Sequence, residues 1–119
     1  MGTWPRVPAS FLRHRSSDME KMKIFMDTHD QADGTFPAGI TSEQFAAFFA
    51  GYQEACREEG VVLLRVDVGL EAGRAFCLSM AVDAEAVRRA HDRVGLPYAS
   101  ITEVKAATPG SLFFKAAAA

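Results

Sequence analysis

The stretch that decides the fold is "VVLLRVDVGLEAGRAFCLSMAV", residues 61–82. "VVLLRVDV" (61–68) is rich in β-branched and apolar residues, which pack well on a pleated surface, so it reads as a strand. "GLEAG" (69–73) is a turn, and "RAFCLSMAV" (74–82) is a second strand. The pair predicts a hairpin in the middle of the chain.

Working outward, each arm of the hairpin meets a helix. Upstream, "TSEQ" (41–44) is a capping box, in which Thr41 caps the backbone and Gln44 reaches back. The following residues Phe45, Phe48, Phe49, Tyr52 and Cys56 recur at helical spacing as one apolar stripe. "REEG" ends that helix at Gly60. Downstream, Asp83 caps "AEAVRRAHDRV", which Gly95 and Pro97 stop; its apolar face is Ala84, Val87, Ala90, His91 and Val94. Beyond these helices lie two outer strands, Lys23–Thr28 and "SITEVKAAT" (100–108). The order β-α-β-β-α-β predicts an α+β, ferredoxin-like (split βαβ) fold, a four-stranded antiparallel sheet with both helices on one face. The domain is expected over 22–108. Residues 1–21 are expected to form a disordered N-terminal tail and 109–119 a C-terminal tail carrying the apolar pair Phe113 and Phe114.

Composition narrows the function. The chain has 119 residues, 49% of them hydrophobic and 24% charged, as expected of a single soluble domain. Its net charge of −2, from 13 basic and 15 acidic residues, gives no electrostatic case for nucleic acid or an anionic membrane. No apolar run approaches the roughly 18–20 residues that span a bilayer, and the first 20 residues, broken by Pro5 and Pro8, have no signal-peptide core. A cytoplasmic location is the expectation. Cys56 and Cys77 sit among apolar neighbours and read as buried reduced thiols.

Chemistry collects in "MDTHD" (26–30). Successive strand side chains alternate faces, so Asp27 and His29 share one. The topology brings the end of the first strand, the end of the second helix and the start of the last strand to one edge. Those places hold Asp27 and His29, His91, and Glu103. His91 lies on an apolar helix stripe and needs a polar partner opposite. Two histidines and one or two carboxylates make an N/O site suited to nickel, copper, zinc or iron. Neutral imidazole is the ligand form, so metal binding is expected to fall as pH drops through about 6–6.5. Tyr98, in the loop after the second helix, is a candidate supporting residue. The structural alternatives are a core His91 bonded to a backbone carbonyl, an exposed His29 in a loop 29–39, and a surface ion pair from Glu103 to Arg65 or Arg89. The helix aromatics read as core, and "RRAHDR" (88–93) as a solvated helix face.

"FMDTH" (25–29), "FCLSMAVDAEAVRRAHDRVGLP" (76–97) and "ITEV" (101–104) together resemble a family of small bacterial nickel-binding proteins with a ferredoxin-like fold. The resemblance spans roughly residues 22–106. It implies a homodimer whose sheets face each other, as in dimeric α+β barrels, and divalent nickel held by histidine and acidic side chains. By position these are Asp27, His29, His91 and Glu103. The chain departs from the pattern in its loop 29–39, which adds Asp30, Asp33 and "TFPAG". A homodimer also follows from the strands, which are apolar on both alternations and leave the uncovered sheet face without polar cover. Two functions therefore stand from the sequence, beside a third reading as a structural or interaction module whose histidines only satisfy the core. One is a nickel-type metal-binding protein acting in sequestration, delivery or sensing. The alternative is a small dimeric α+β-barrel enzyme using Asp27, His29 and His91 as acid–base groups on a small organic substrate.

Overall fold

A computed structural model describes residues 22–110. The expected tail 1–21 and most of the expected C-terminal tail lie outside the described residues. The elements run β1 (Lys23–Asp30), a 3-10 turn (Gln31–Asp33), α1 (Ser42–Glu58), β2 (Val62–Gly69), β3 (Arg74–Ala81), α2 (Ala84–Arg93) and β4 (Ser100–Glu103). The four strands form one sheet in the order β2-β3-β1-β4, and every neighbouring pair is antiparallel. This is the α+β, ferredoxin-like arrangement expected from the order of elements.

Local chemistry sets the helix starts. Gln44 N–H donates to Thr41 Oγ1 at 3.1 Å while Thr41 N–H donates to Gln44 Oε1 at 2.9 Å, so the capping box is closed at both bonds. Asp83 Oδ1 accepts from Ala86 N–H at 2.9 Å and opens α2. Gly60 and Gly95 follow the helix ends at φ of 72° and 63°, a left-handed conformation that glycine adopts without a Cβ clash.

Two boundaries differ from the sequence reading. β1 runs on through His29 and Asp30, because these pair in register with Ala75 and Arg74, and Arg74 Nε donates to Asp30 Oδ2 at 2.9 Å. His29 is therefore a strand residue, not a loop residue. At the other end, β4 stops at Glu103 rather than near residue 108.

One sheet face is covered by both helices. Phe25 and Ala81 from the sheet, Tyr52 and Cys56 from α1, and Val87 and Ala90 from α2 form a single buried cluster. Along β1 the buried positions are Phe25, Asp27 and His29, so two polar side chains take the place of core residues. Both cysteines are free and buried. The opposite face is bare: Val62, Leu64 and Phe76 are exposed, and Met26, Leu78 and Met80 are half-buried. The charged stretch of α2 is solvated, Arg89 and Arg93 both pairing with Glu59.

Candidate metal centre

Asp27, His29 and His91 meet beneath α2, all at 4% exposure or less. Strand alternation directs Asp27 and His29 to the helix-covered face, and the apolar stripe of α2 turns His91 down onto it. Their ligand-capable atoms lie within 4.8 Å of one another.

The backbone around them settles the tautomers. His29 Nδ1 lies 2.7 Å from the Pro97 carbonyl, and His91 Nδ1 lies 2.8 Å from the Val87 carbonyl. A carbonyl oxygen can only accept, so both Nδ1 atoms carry protons and donate. Both Nε2 atoms then point to the same carboxylate oxygen: His29 Nε2 is 2.7 Å and His91 Nε2 2.9 Å from Asp27 Oδ2. With neutral rings, two imidazole lone pairs and a carboxylate converge on one spot. Three acceptors in a buried site are compatible only with positive charge among them, as extra protons or as a cation.

The exit of α2 builds half of this arrangement. The His91 carbonyl accepts from Leu96 N–H at 2.9 Å, and Ala99 N–H donates to the Thr28 carbonyl at 2.7 Å. These bonds fold residues 94–99 back over the end of β1 and deliver the Pro97 carbonyl to His29. Rings enclose His91: His29 stacks on it at 5.5 Å between centroids, Tyr52 lies tilted at 4.8 Å, and Tyr98 meets it edge-on at 5.0 Å. Tyr52 Oη is 3.3 Å from His91 Nδ1.

Electrostatics follow from burial. Burial by itself pushes the Asp27 carboxyl up, but hydrogen bonds from His29 and His91, reinforced by their charges, outweigh it and hold it below the ordinary aspartate value. The same burial, with the Asp27 charge added, raises the Tyr52 hydroxyl and the Cys77 thiol well above their usual ranges. Burial pushes Cys56 up to about 11. Asp27 Oδ1 is buried without a hydrogen-bond partner among the described residues. An orphaned carboxylate oxygen beside two fixed imidazoles fits a metal ion, and the Nδ1–H to carbonyl bonds are the usual support of metal-bound histidine.

Of the four residues singled out in the sequence, the chain brings together Asp27, His29 and His91, and it places Glu103 apart from them. β4 begins at Ser100 opposite Thr28, so Glu103, three residues on, lies opposite Phe25 and away from His29. It is exposed and pairs with Lys23 at 3.8 Å, not with Arg65 or Arg89. Tyr98, in the loop after α2, lies edge-on against His91. The sequence reading missed Tyr52 and the carbonyls of Val87 and Pro97. A phenol on the α1 stripe, facing the histidine of the α2 stripe, was the available signal for Tyr52. Backbone carbonyls leave no signal in residue type.

A cavity of about 270 Å³ adjoins the triad, with His29 in its wall. Phe45, Phe48 and Phe49 line it, so they do not form the solid core that their spacing suggested; Phe48 remains 42% exposed.

The class this defines is a small α+β, ferredoxin-like domain with a buried Asp–His–His cluster whose donor set fits a metal ion. Residues 25–104 match the family model described as "Nickel responsive protein SCO4226-like", and the chain belongs to that family. Among solved structures it is similar to the crystal structure of SCO4226 from Streptomyces coelicolor A3(2), with 32% identity and a TM-score of 0.61 over 71% of this chain and 99% of that one. Comparison with curated proteins gives no match.

Proposed function

We propose that the protein binds one divalent transition-metal ion per chain, nickel by family, through Asp27, His29 Nε2 and His91 Nε2. The observation that carries this reading is the commitment of both Nδ1–H groups to backbone carbonyls, which leaves both Nε2 atoms facing one buried carboxylate. Those donors suit nickel, copper, zinc or iron, and the family description "nickel responsive" supports nickel among them. The chain fixes the donors: β1 sets the Asp27–His29 spacing, α2 and its exit loop set His91, and the aromatic rings exclude water. Sensing of nickel is the role that best suits such a site, with sequestration and delivery as the other uses of the same binding.

We further propose a homodimer formed through the bare sheet face, on which Val62, Leu64 and Phe76 are exposed side by side with half-buried Met26, Leu78 and Met80. Sedimentation of Leu64→Lys against wild type tests it: a dimer converted to a monomer is expected, and a wild-type monomer at high concentration overturns it.

The acid–base enzyme reading is favoured by one observation, the cavity beside His29. Against it, each imidazole has both nitrogens engaged, by a carbonyl and by Asp27, so neither presents a nitrogen to a molecule in that cavity. Metal binding is therefore the preferred function. Calorimetric titration of chelator-treated protein with nickel, repeated on His29→Ala and His91→Ala, decides the matter. Saturable binding at one ion per chain that both variants lose is the expected result. No saturable heat with any divalent ion sinks the metal reading.

A further inference from the structure

The cavity beside the triad is a feature that metal binding does not use. α1 supplies Phe45, Phe48, Phe49 and Tyr52 to one wall, and the loop after the 3-10 turn brings in Phe36, Pro37 and Ile40. Val66, Ala75 and Cys77 of the sheet, with His29, form the floor. Among the described residues, no lysine, arginine, aspartate or glutamate lines it. Its polar groups are already engaged: His29 by Pro97 and Asp27, and Thr35 Oγ1 by Asp33 Oδ1 at 2.5 Å. Phe36 is 6% exposed and closes one side, whereas Phe48 stands 42% exposed at the rim.

We propose that this cavity is a binding site for a small, uncharged aromatic molecule of about two rings. Volume sets the size: an engineered apolar cavity of about 150 Å³ accommodates benzene, so about 270 Å³ accommodates a two-ring molecule. Lining chemistry sets the charge, since a carboxylate or ammonium entering a wall without counter-charge or free hydrogen-bonding groups loses hydration and gains nothing. Ring faces from about two turns of α1 and from the loop offer stacked and edge-on contacts. The site goes beyond the metal reading and does not depend on it, because none of these walls requires an ion at Asp27, His29 and His91.

The test uses the full chain, chelator-treated, with 1-naphthol as probe and 1-naphthoate as its charged counterpart. Calorimetry is expected to give saturable binding of 1-naphthol at one per chain, at least tenfold tighter than 1-naphthoate. Amide shift changes in NMR spectra should concentrate on Phe36, Ile40, Phe45 and Phe49. Phe48→Glu, at the exposed rim, should weaken 1-naphthol at least tenfold with the melting temperature unchanged, and Ile40→Glu in the loop should do the same. Absence of saturable binding, equal binding of the two probes, or indifference to both variants overturns the proposal. So does binding that emerges only in the full-length Phe113→Ala, Phe114→Ala variant, or only on dilution, because the chain's own end or a second copy is then the occupant. Nickel titration of the same samples separates this result from that of the metal site, since either site can fail alone.

Discussion

The two helices cover the same sheet face in opposite ways. Beneath α2 the contact is closed: Ala86, Val87 and Ala90 are at most 1% exposed and meet Phe25 and Ala81 directly. Beneath the first half of α1 the contact is open, because three phenylalanines stand around a cavity instead of filling it. Small side chains let α2 approach the sheet closely enough for His91 to reach Asp27. The rings at the start of α1 line the cavity, and only at Tyr52, Ala55 and Cys56 does the helix become buried. The Asp–His–His cluster lies at the seam. The closed half holds Asp27 and His91 together, while His29 also forms part of the cavity wall on the open side.

The largest effect is expected at the seam itself. Asp27→Ala removes the acceptor shared by both histidines, so nickel affinity should fall by more than about 100-fold, as calorimetry would show. In chelator-treated protein the same change should cost about 3–5 kcal/mol in urea unfolding, because two buried imidazoles lose their counter-charge. A loss below about 1 kcal/mol would mean that the closed half does not rest on this charge. The pH dependence has a definite sign. Asp27 is held below its unfolded value, so its contribution is fully present above the ordinary aspartate range and lost as pH falls through the folded value. Acid unfolding of wild type should therefore approach that of Asp27→Asn at the low end of the transition.

The next pair sets one half against the other. Val87 is fully buried under α2, and Val87→Ala should cost about 2 kcal/mol by loss of two methyl groups and an unfilled gap. Phe48 is larger but is 42% exposed at the rim, and Phe48→Ala should cost less than about 1 kcal/mol. Equal losses in denaturant melts would erase the contrast between closed and open halves.

Much of this was legible in the sequence. Period-2 and period-3.6 patterns, the caps at Thr41 and Asp83 and the turn at 69–73 suffice for the order of elements, and that order for the antiparallel sheet. The convergence of Asp27, His29 and His91 follows from strand alternation and helix facing alone. What the pattern could not distinguish is an apolar stripe that packs solidly from one that rims a void. Phe45, Phe48 and Phe49 have core spacing, yet helix-to-sheet distance depends on side-chain sizes across the whole interface. Strand length was equally hidden: alternation continues to residue 108, while pairing to β1 ends with the bond from Val104 N–H to the Ile24 carbonyl.

Glu103 gives the smallest effect and the sharpest check on how far the site extends. Its place in "ITEV" resembles an acidic ligand position, but the register sets it opposite Phe25, exposed and paired with Lys23. An ion pair of that kind contributes little, so Glu103→Ala should change stability by only a few tenths of a kcal/mol, roughly the range of solvent-exposed pairs. Nickel affinity should stay within about twofold of wild type, because no ligand is lost and the charge removed is screened by water. A drop of tenfold or more, with the melting temperature preserved, would place a second carboxylate at the ion. The charge would then have to come from the exposed end of β4, either by rearrangement of that strand or across a dimer. In that case the seam between closed and open halves would no longer mark the whole of the metal site.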